Sequence, residues 1–371
     1  MEVICNINKL KEALGYTERV VTRHLTLPIL NNVLIKSDKN GIRVSSTNLE
    51  IGVNSWFPCK VVRDGEITVP AKIFHSIISS LVSDKTSLEV KSDNTLNIIS
   101  EGYKASLKGE NAKDFPIIPK LKNDLVISLN SNVFCKALAQ LIGFVSNSET
   151  RPEITGVFLY KDAGDKFLTA VATDSFRLGE KRIEIKEEYK DMSFSVIVPA
   201  RTITEVVRVF LDKTDDLNIS LEKNQIGFEL NKTEIVSRLI EGNYPDYKKL
   251  IPSEFNTVIK LDKDKFSKII KLVGLFSSKV NDIKLSFVKE NGPKLVIYAG
   301  DSDLGENDSE FNIDMKGEAL EVKFNWRYLV DGVSNISGNT AVFNFIDEQK
   351  PCLVKSLEDT SFLYIVMPIR A

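Results

Sequence analysis

Val69-Pro70-Ala71-Lys72 returns as Val198-Pro199-Ala200-Arg201, and Pro199 lies 129 residues after Pro70. Each copy follows a β-branched run, Ile67-Thr68 or Val196-Ile197, and leads into an apolar-periodic stretch, Ile73 to Leu81 or Ile203 to Phe210. Asp114-Phe115-Pro116-Ile117-Ile118-Pro119 is echoed by Tyr244-Pro245-Asp246-Tyr247 with Pro252 beyond, and Tyr244 again falls 129 residues after Phe115. Two unrelated landmarks with one offset make the chain a tandem of domain-sized units. A length of 371 residues leaves room for three. The third is fainter: Phe324-Asn325-Trp326-Arg327 opens an amphipathic stretch to Ile336, with Arg327 placed 126 residues after Arg201.

Each unit also begins alike. Lys9-Leu10 to Leu14, Phe134 to Leu138 and Phe266 to Ile270 repeat an apolar residue at the helical i+4 spacing. A strand-like run follows, Ile29 to Ile35, Ile154 to Tyr160 and Ile283 to Val288. Then comes a polar turn at Thr47-Asn48-Leu49, Thr173-Asp174-Ser175-Phe176 or Gly300-Asp301-Ser302-Asp303. Helix, strands, helix, strands in each unit reads as α+β with antiparallel sheets. The polar, proline-marked junctions Lys120 to Asp124 and Pro252 to Asn256 divide the chain into domains 1–122, 123–253 and 254–371.

Composition narrows the function. No apolar run approaches the ~20 residues of a membrane helix, and Met1 to Leu10 has no apolar core of signal-peptide length. A cytoplasmic protein without membrane partners is expected. Cys5, Cys59, Cys135 and Cys352 are scattered and read as free thiols. With His24 and His75 the only histidines, neither a metal site nor a cofactor is expected. A net charge of −2 excludes a globally basic nucleic-acid binder and leaves room for a local basic stripe.

Such stripes are present. Over Asp262 to Phe276, Phe266, Ile269, Ile270 and Val273 share one helical face and Lys265, Lys268 and Lys271 the opposite one. Arg201 and Arg208 lie opposite Ile203, Val206, Val207 and Phe210. Recurring basic faces suit phosphate contact without base reading, although a solvated face has the same pattern. Asp174-Ser175 invites an enzymatic reading, but the serine has no histidine near in sequence to take its proton and no nucleophile-elbow glycines. The acidic run Asp301 to Glu310 lacks calcium-loop spacing and reads as a solvated loop. The chain ends in an apolar stretch, Phe362 to Arg370. Pro368 stops strand pairing there, so Met367 to Arg370 leaves the sheet as an apolar tail whose removal should spare the fold.

Seven ordered motifs together resemble the bacterial DNA polymerase sliding clamp family, the beta subunit of DNA polymerase III. They are Thr26 to Asn32, Val69 to Lys72, Asp114 to Pro116, Ala172 to Leu178, Val198 to Arg201, Tyr244 to Tyr247 and Tyr364 to Arg370. The resemblance spans the chain. It implies three DNA-clamp domains, helices lining a ring with sheets outside, and a head-to-tail homodimer that encircles duplex DNA and catalyses nothing. It also implies, as partners, the DNA polymerase III alpha subunit, the clamp loader and other proteins with clamp-binding motifs. The partner-peptide groove of the family falls on Ile154, Thr173, Ser175, Phe176, Arg177, Leu178, Pro245, Lys249, Leu250, Ile365, Val366, Met367, Pro368, Ile369 and Arg370. DNA-facing positions fall on His24, Lys72, Arg151 and Arg201. Interface positions fall on Ala105 and Leu107 at one edge and Leu275 and Phe276 at the other. On the residues alone, an enzyme built on Asp174 and Ser175 and a scaffold protein without DNA remain the alternatives.

Overall fold

The computed structural model describes residues 1–21, 26–121, 125–290 and 292–370. Six α-helices lie among them: α1 Ile7–Thr17, α2 Ala71–Ser80, α3 Ser131–Leu141, α4 Ala200–Phe210, α5 Lys263–Val273 and α6 Trp326–Ser334. They are two per repeat, at the expected positions. The leading helix of each repeat starts on an Asx cap. Asn6 accepts from the Lys9 amide, Asn130 from Val133 and Asp262 from Lys265, satisfying donors a helix start leaves open. The second helices α2 and α4 follow the strand-ending Pro70 and Pro199. In the third repeat Asn325 replaces proline and caps α6 through the Arg327 and Tyr328 amides, which is why its signature is faint.

The chain divides into two compact units, residues 1–135 with 204–239, and residues 136–203 with 240–371. In the first, one antiparallel sheet runs Lys60–Arg63, Glu2–Asn6, Lys85–Val90, Thr95–Ser100, Tyr103–Lys108. A second begins with Leu125–Asn130, Asp216–Glu222, Gln225–Leu230 and Thr233–Arg238. It continues into Ile51–Pro58, Gly41–Thr47, Asn32–Asp38 and Glu66–Pro70. Its core places Leu10 and Leu14 of α1 and Phe74 and Ile78 of α2 with Val33, Ile35, Val44, Leu88 and Leu96 of the strands.

In the other unit, Phe194–Pro199, Gly156–Lys161, Phe167–Thr173 and Arg177–Glu184 continue into Phe362–Val366, Cys352–Ser356, Thr340–Phe345, Thr257–Asp262 and Asp314–Lys316. A four-stranded sheet runs Gly305–Asn312, Lys294–Asp301, Asp282–Val288, Leu320–Asn325. Gly332 of α6 lies flat against Tyr364: a Cβ there would meet the ring at 2.1 Å, so only glycine fits.

Among the described residues, the central repeat therefore has no sheet of its own. Half of its strands extend the sheet of the first repeat and half that of the third.

Some local expectations change. The strand-like runs at Ile29 and Ile154 begin with 3-10 turns, Pro28–Asn31 and Pro152–Ile154, and the strands start at Asn32 and Gly156. Proline preorganises the turn and cannot donate to a ladder. The helix expected to Phe276 ends as α-helix at Val273 and tightens to a 3-10 turn over Gly274–Phe276. The acidic run is a loop only at its start, where residues 302–304 with Asp303 form an exposed turn. Glu306, Asp308 and Glu310 form the exposed row of the edge strand Gly305–Asn312, while Phe311 is buried. The alternation of one edge strand explains the pattern. Cys5, Cys135 and Cys352 are buried free thiols and Cys59 is half-buried. Burial pushes Cys5 up to about 12, so it is inert as a nucleophile. Among the described residues no helix is long and apolar enough to cross a membrane.

Candidate partner-binding groove and basic helix faces

The second unit gathers the turn, the chain end and the Pro245 segment named from the sequence. Thr173 and Asp174 build the turn. The Thr173 hydroxyl donates to the Arg177 carbonyl at 2.6 Å and accepts from the Ser175 amide at 3.1 Å. The Asp174 carboxylate accepts from the Phe176 and Arg177 amides, both at 2.9 Å. Local bonds of this kind hold an Asx turn and let Ser175 adopt a φ of 77°. Arg177 then pairs with Val366 and Leu178 with Ile365 across the sheet.

The tail is more firmly held than the sequence suggests. The Met367 amide donates to the Phe176 carbonyl and the Ile369 amide to the Lys323 carbonyl, both at 2.8 Å. Pro368 is buried and Met367 and Ile369 are half-buried. The expectation that this tail could be removed without cost to the fold is corrected accordingly.

The third wall is pinned from below. The Tyr247 hydroxyl donates to the Glu180 carboxylate at 2.6 Å and lies 2.8 Å from the Tyr160 hydroxyl. Tyr244 stacks on Phe158 with centroids 4.6 Å apart. Leu178, Ile365, Tyr247, Val171 and Leu353 form one buried cluster. Above it Phe176 is 60% exposed and Leu250 51%, each a large apolar side chain that solvent covers poorly. Lys249 is exposed and pairs with Asp246 at 2.8 Å. Pro245 is half-buried and Arg370 exposed. Ile154 is buried at 2%, and its 3-10 turn carries Arg151 toward Ser175.

Arg177 is the fixed point of the site. Its guanidinium donates to Asp174 at 2.9 Å, Asp331 at 2.6 Å and the Gly143 carbonyl at 2.8 Å. It lies over the Tyr328 ring at 4.4 Å and the Phe144 ring at 5.4 Å. A planar cation with several acceptors and two aromatic faces loses little freedom and fixes its neighbours. Asp331, Tyr328 and Phe144, which hold the Arg177 side chain, were not singled out from the sequence, and Tyr244 and Tyr247 were named there only as part of a repeated motif. No local signal pointed to Asp331, which stands 154 residues from Arg177 in the chain.

Ser175 is not a nucleophile. Its hydroxyl accepts from the Arg151 guanidinium at 2.9 Å, and a guanidinium takes no proton. Arg151 also donates to Glu153 at 3.0 Å, so this expected DNA-facing residue is bonded within the groove region. Lys72 and Arg201 stand exposed at the starts of α2 and α4, and Lys265, Lys268 and Lys271 are exposed along α5. Arg208 departs from its expected phosphate role: it bonds Glu205 at 2.6 Å and the Gly15 and Tyr16 carbonyls at 2.7 and 3.0 Å. His24 lies outside the described residues.

At the expected edges, Tyr103–Lys108 has a strand neighbour on one side only among the described residues. Ala105 and Leu107 are half-buried within it. Leu275 is 66% exposed and Phe276 half-buried.

A three-repeat α+β chain, with exposed apolar side chains at Phe176 and Leu250 over one buried cluster and exposed cations along its helices, is the class that the geometry defines. Family profiles match it in order. DNA polymerase III beta subunit, N-terminal domain, covers residues 1–119, the central domain 128–246 and the C-terminal domain 248–370. The chain belongs to the DNA polymerase III beta subunit family. A beta sliding clamp from Synechocystis sp. is 28% identical over 100% of this chain and 99% of that protein. One from Caulobacter vibrioides is 29% identical over 97% of both. The solved structure of the Bacillus subtilis DNA polymerase sliding clamp superposes with a TM-score of 0.95 at 24% identity, covering 100% of this chain and 99% of that one.

Proposed function

We propose that this protein is a sliding clamp, a non-catalytic processivity factor that encircles duplex DNA and tethers a DNA polymerase. The observation that carries this reading is the threefold repeat itself, matched in order by the three domains of one clamp family. Domains 1–122, 123–253 and 254–371 are the proposed units. A head-to-tail homodimer needs two different edges. Two are available: Tyr103–Lys108, with exposed Lys104 and Lys108, and Gly305–Asn312, with exposed Glu306, Asp308 and Glu310. Opposite charge rows on two edge strands suit antiparallel addition, with Ala105 and Leu107 facing Leu275 and Phe276 of the partner subunit.

Lys72, Arg201 and the α5 lysines supply weak phosphate contacts; in a closed ring topology does the holding, so a net charge of −2 is no obstacle. Arg151 serves the groove more than DNA. The groove around Phe176, Leu178, Pro245, Leu250 and Met367 takes a short peptide with apolar anchors from the polymerase alpha subunit, the clamp loader and other clamp-binding proteins. The protein works in the cytoplasm.

The test is retention on DNA after loading. Wild-type protein should stay on nicked circles and slide off the linearised form. Leu275→Ala with Phe276→Ala should give a folded monomer by sedimentation that is not retained. Arg201→Ala should lower the log–log salt slope by roughly one unit or less and keep circle retention. Equal retention of wild type on linear DNA with free ends would overturn the reading.

A further inference from the structure

The turn at Thr47–Ile51 in the first unit is built from the same bonds as the Phe176 turn. The Thr47 hydroxyl donates to the Ile51 carbonyl at 2.9 Å and accepts from the Leu49 amide at 3.0 Å. Asn48 accepts from the Glu50 and Ile51 amides at 3.1 and 2.8 Å. Leu49 has a φ of 76°, against 77° at Ser175. The neighbouring strand matches as well: Ser237 lies opposite Ile51 and Val236 opposite Gly52, as Val366 and Ile365 lie opposite Arg177 and Leu178. The Arg238 amide donates to the Glu50 carbonyl at 2.9 Å, the counterpart of Met367 donating to Phe176. Pro116 to Pro119, within the sequence echo of the Tyr244 segment, closes the third side. Together they line an open pocket of about 310 Å³.

The two grooves differ in ways that define the occupant. Phe176 and Met367 are replaced by Glu50 and Arg238, so the rim is charged. Leu178 is replaced by Gly52, and a Cβ there would lie 2.6 Å from Ile118; Ile118 fills the floor itself. Ile117 is 93% exposed and Leu49 46%, which leaves two apolar surfaces open beside the exposed Arg238 guanidinium. A carboxylate is the group that a planar guanidinium holds bidentately. We propose that this second groove docks a short extended segment of a partner protein, seating adjacent apolar side chains on Leu49 and Ile117 and a carboxylate on Arg238. The proposal rests on reading the Phe176 groove as a peptide site, and it makes the protein bivalent for partner segments.

The test uses the full-length protein with labelled isoleucine methyl groups and an end-capped pentapeptide of glycine, aspartate, leucine, phenylalanine and glycine. The Ile117 and Ile118 signals should shift saturably at peptide concentrations up to ~1 mM. Arg238→Glu should weaken this site by about tenfold, or about 1.4 kcal/mol, and the same peptide with lysine in place of aspartate should restore it. Glu50→Gln should tighten it by relieving repulsion of the carboxylate. Ile117 and Ile118 signals that do not move, or an affinity indifferent to Arg238→Glu, would overturn the proposal. Signals of Ile365 and Ile369 report the Phe176 groove separately, so failure there with a saturating response at Ile117 counts against that groove alone.

Discussion

The strand pairs behind the two turns share a register and differ in how they are fastened. In the first unit Ile51–Pro58 meets Thr233–Arg238 through uncharged donors. The Ser55 and Thr233 hydroxyls lie 3.1 Å apart, and the Asn54 amide donates to Glu234 at 3.1 Å. In the second unit Arg177–Glu184 meets Phe362–Val366, and the corresponding positions are Glu180 and Lys181. Glu180 accepts from Tyr247, and Lys181 pairs with Asp359 at 2.7 Å with both side chains largely covered. Arg177, in the place of Ile51, ties its turn to α6 through Asp331. The backbone of the turn is thus set by a Thr-Asx pair in both places, whereas the groove above it is made rigid by charge in only one. A partner groove that must hold one shape gains from bonds that fix the turn before the peptide arrives.

Deleting Met367 to Ala371 should separate the two grooves most sharply. Binding of the polymerase's C-terminal peptide to the Phe176 groove should be lost, because truncating one well-buried anchor contact already costs about 1–4 kcal/mol. The two backbone bonds of the tail are worth about 1 kcal/mol each, and burial of Pro368 adds to them, so the melting temperature should fall measurably. The Ile117 signals should be untouched. Unchanged peptide affinity in the deletion variant would remove the tail from the site.

Arg177→Ala comes next. It breaks charged hydrogen bonds that contribute about 1.5–3 kcal/mol when intact and frees Phe176 from its fixed turn. Peptide affinity should drop and stability with it, while Ile51→Ala, a cavity costing about 2–5 kcal/mol, should destabilise the first unit and leave Phe176-groove affinity alone. Titration calorimetry and thermal melts of both variants make the comparison. Equal affinity loss in the two would show that the turn responds to global stability and not to the arginine.

The smallest effect is in acid. Burial acts to raise the Asp359 carboxyl, but the Lys181 ammonium and the Ser361 hydroxyl and amide outweigh it and hold the group down at about 2, against an ordinary 3.8. Its folded value is depressed, so its contribution is complete above about pH 4 and fades as pH falls through about 2. The seam of the second unit should lose this contribution over that window. Asp359→Asn should flatten the acid limb of a stability–pH profile, and a profile unchanged by the substitution would show that the ion pair adds nothing.

The sequence by itself determined the features whose causes are local. Proline ending a strand, Asx caps at Asn6, Asn130 and Asp262, and Thr-Asx turns act within a few residues, so the repeat, the helix positions and the turns can be read directly. The apolar tail and the Phe176 turn were legible as oddities for the same reason. Tertiary structure decided what depends on distant pairing. Nothing in the period of the central repeat says that its strands Asp216 to Arg238 join one sheet and Gly156 to Glu184 another, because an alternating strand accepts any neighbour that buries the same face. The basic face of α4 shows the same limit. Arg201 and Arg208 are alike in sequence spacing, but Arg208 meets the carbonyl ends of α1 at Gly15 and Tyr16. A cation is satisfied by whichever acceptors the fold brings within 3 Å of it, and those acceptors lie almost two hundred residues away in the chain.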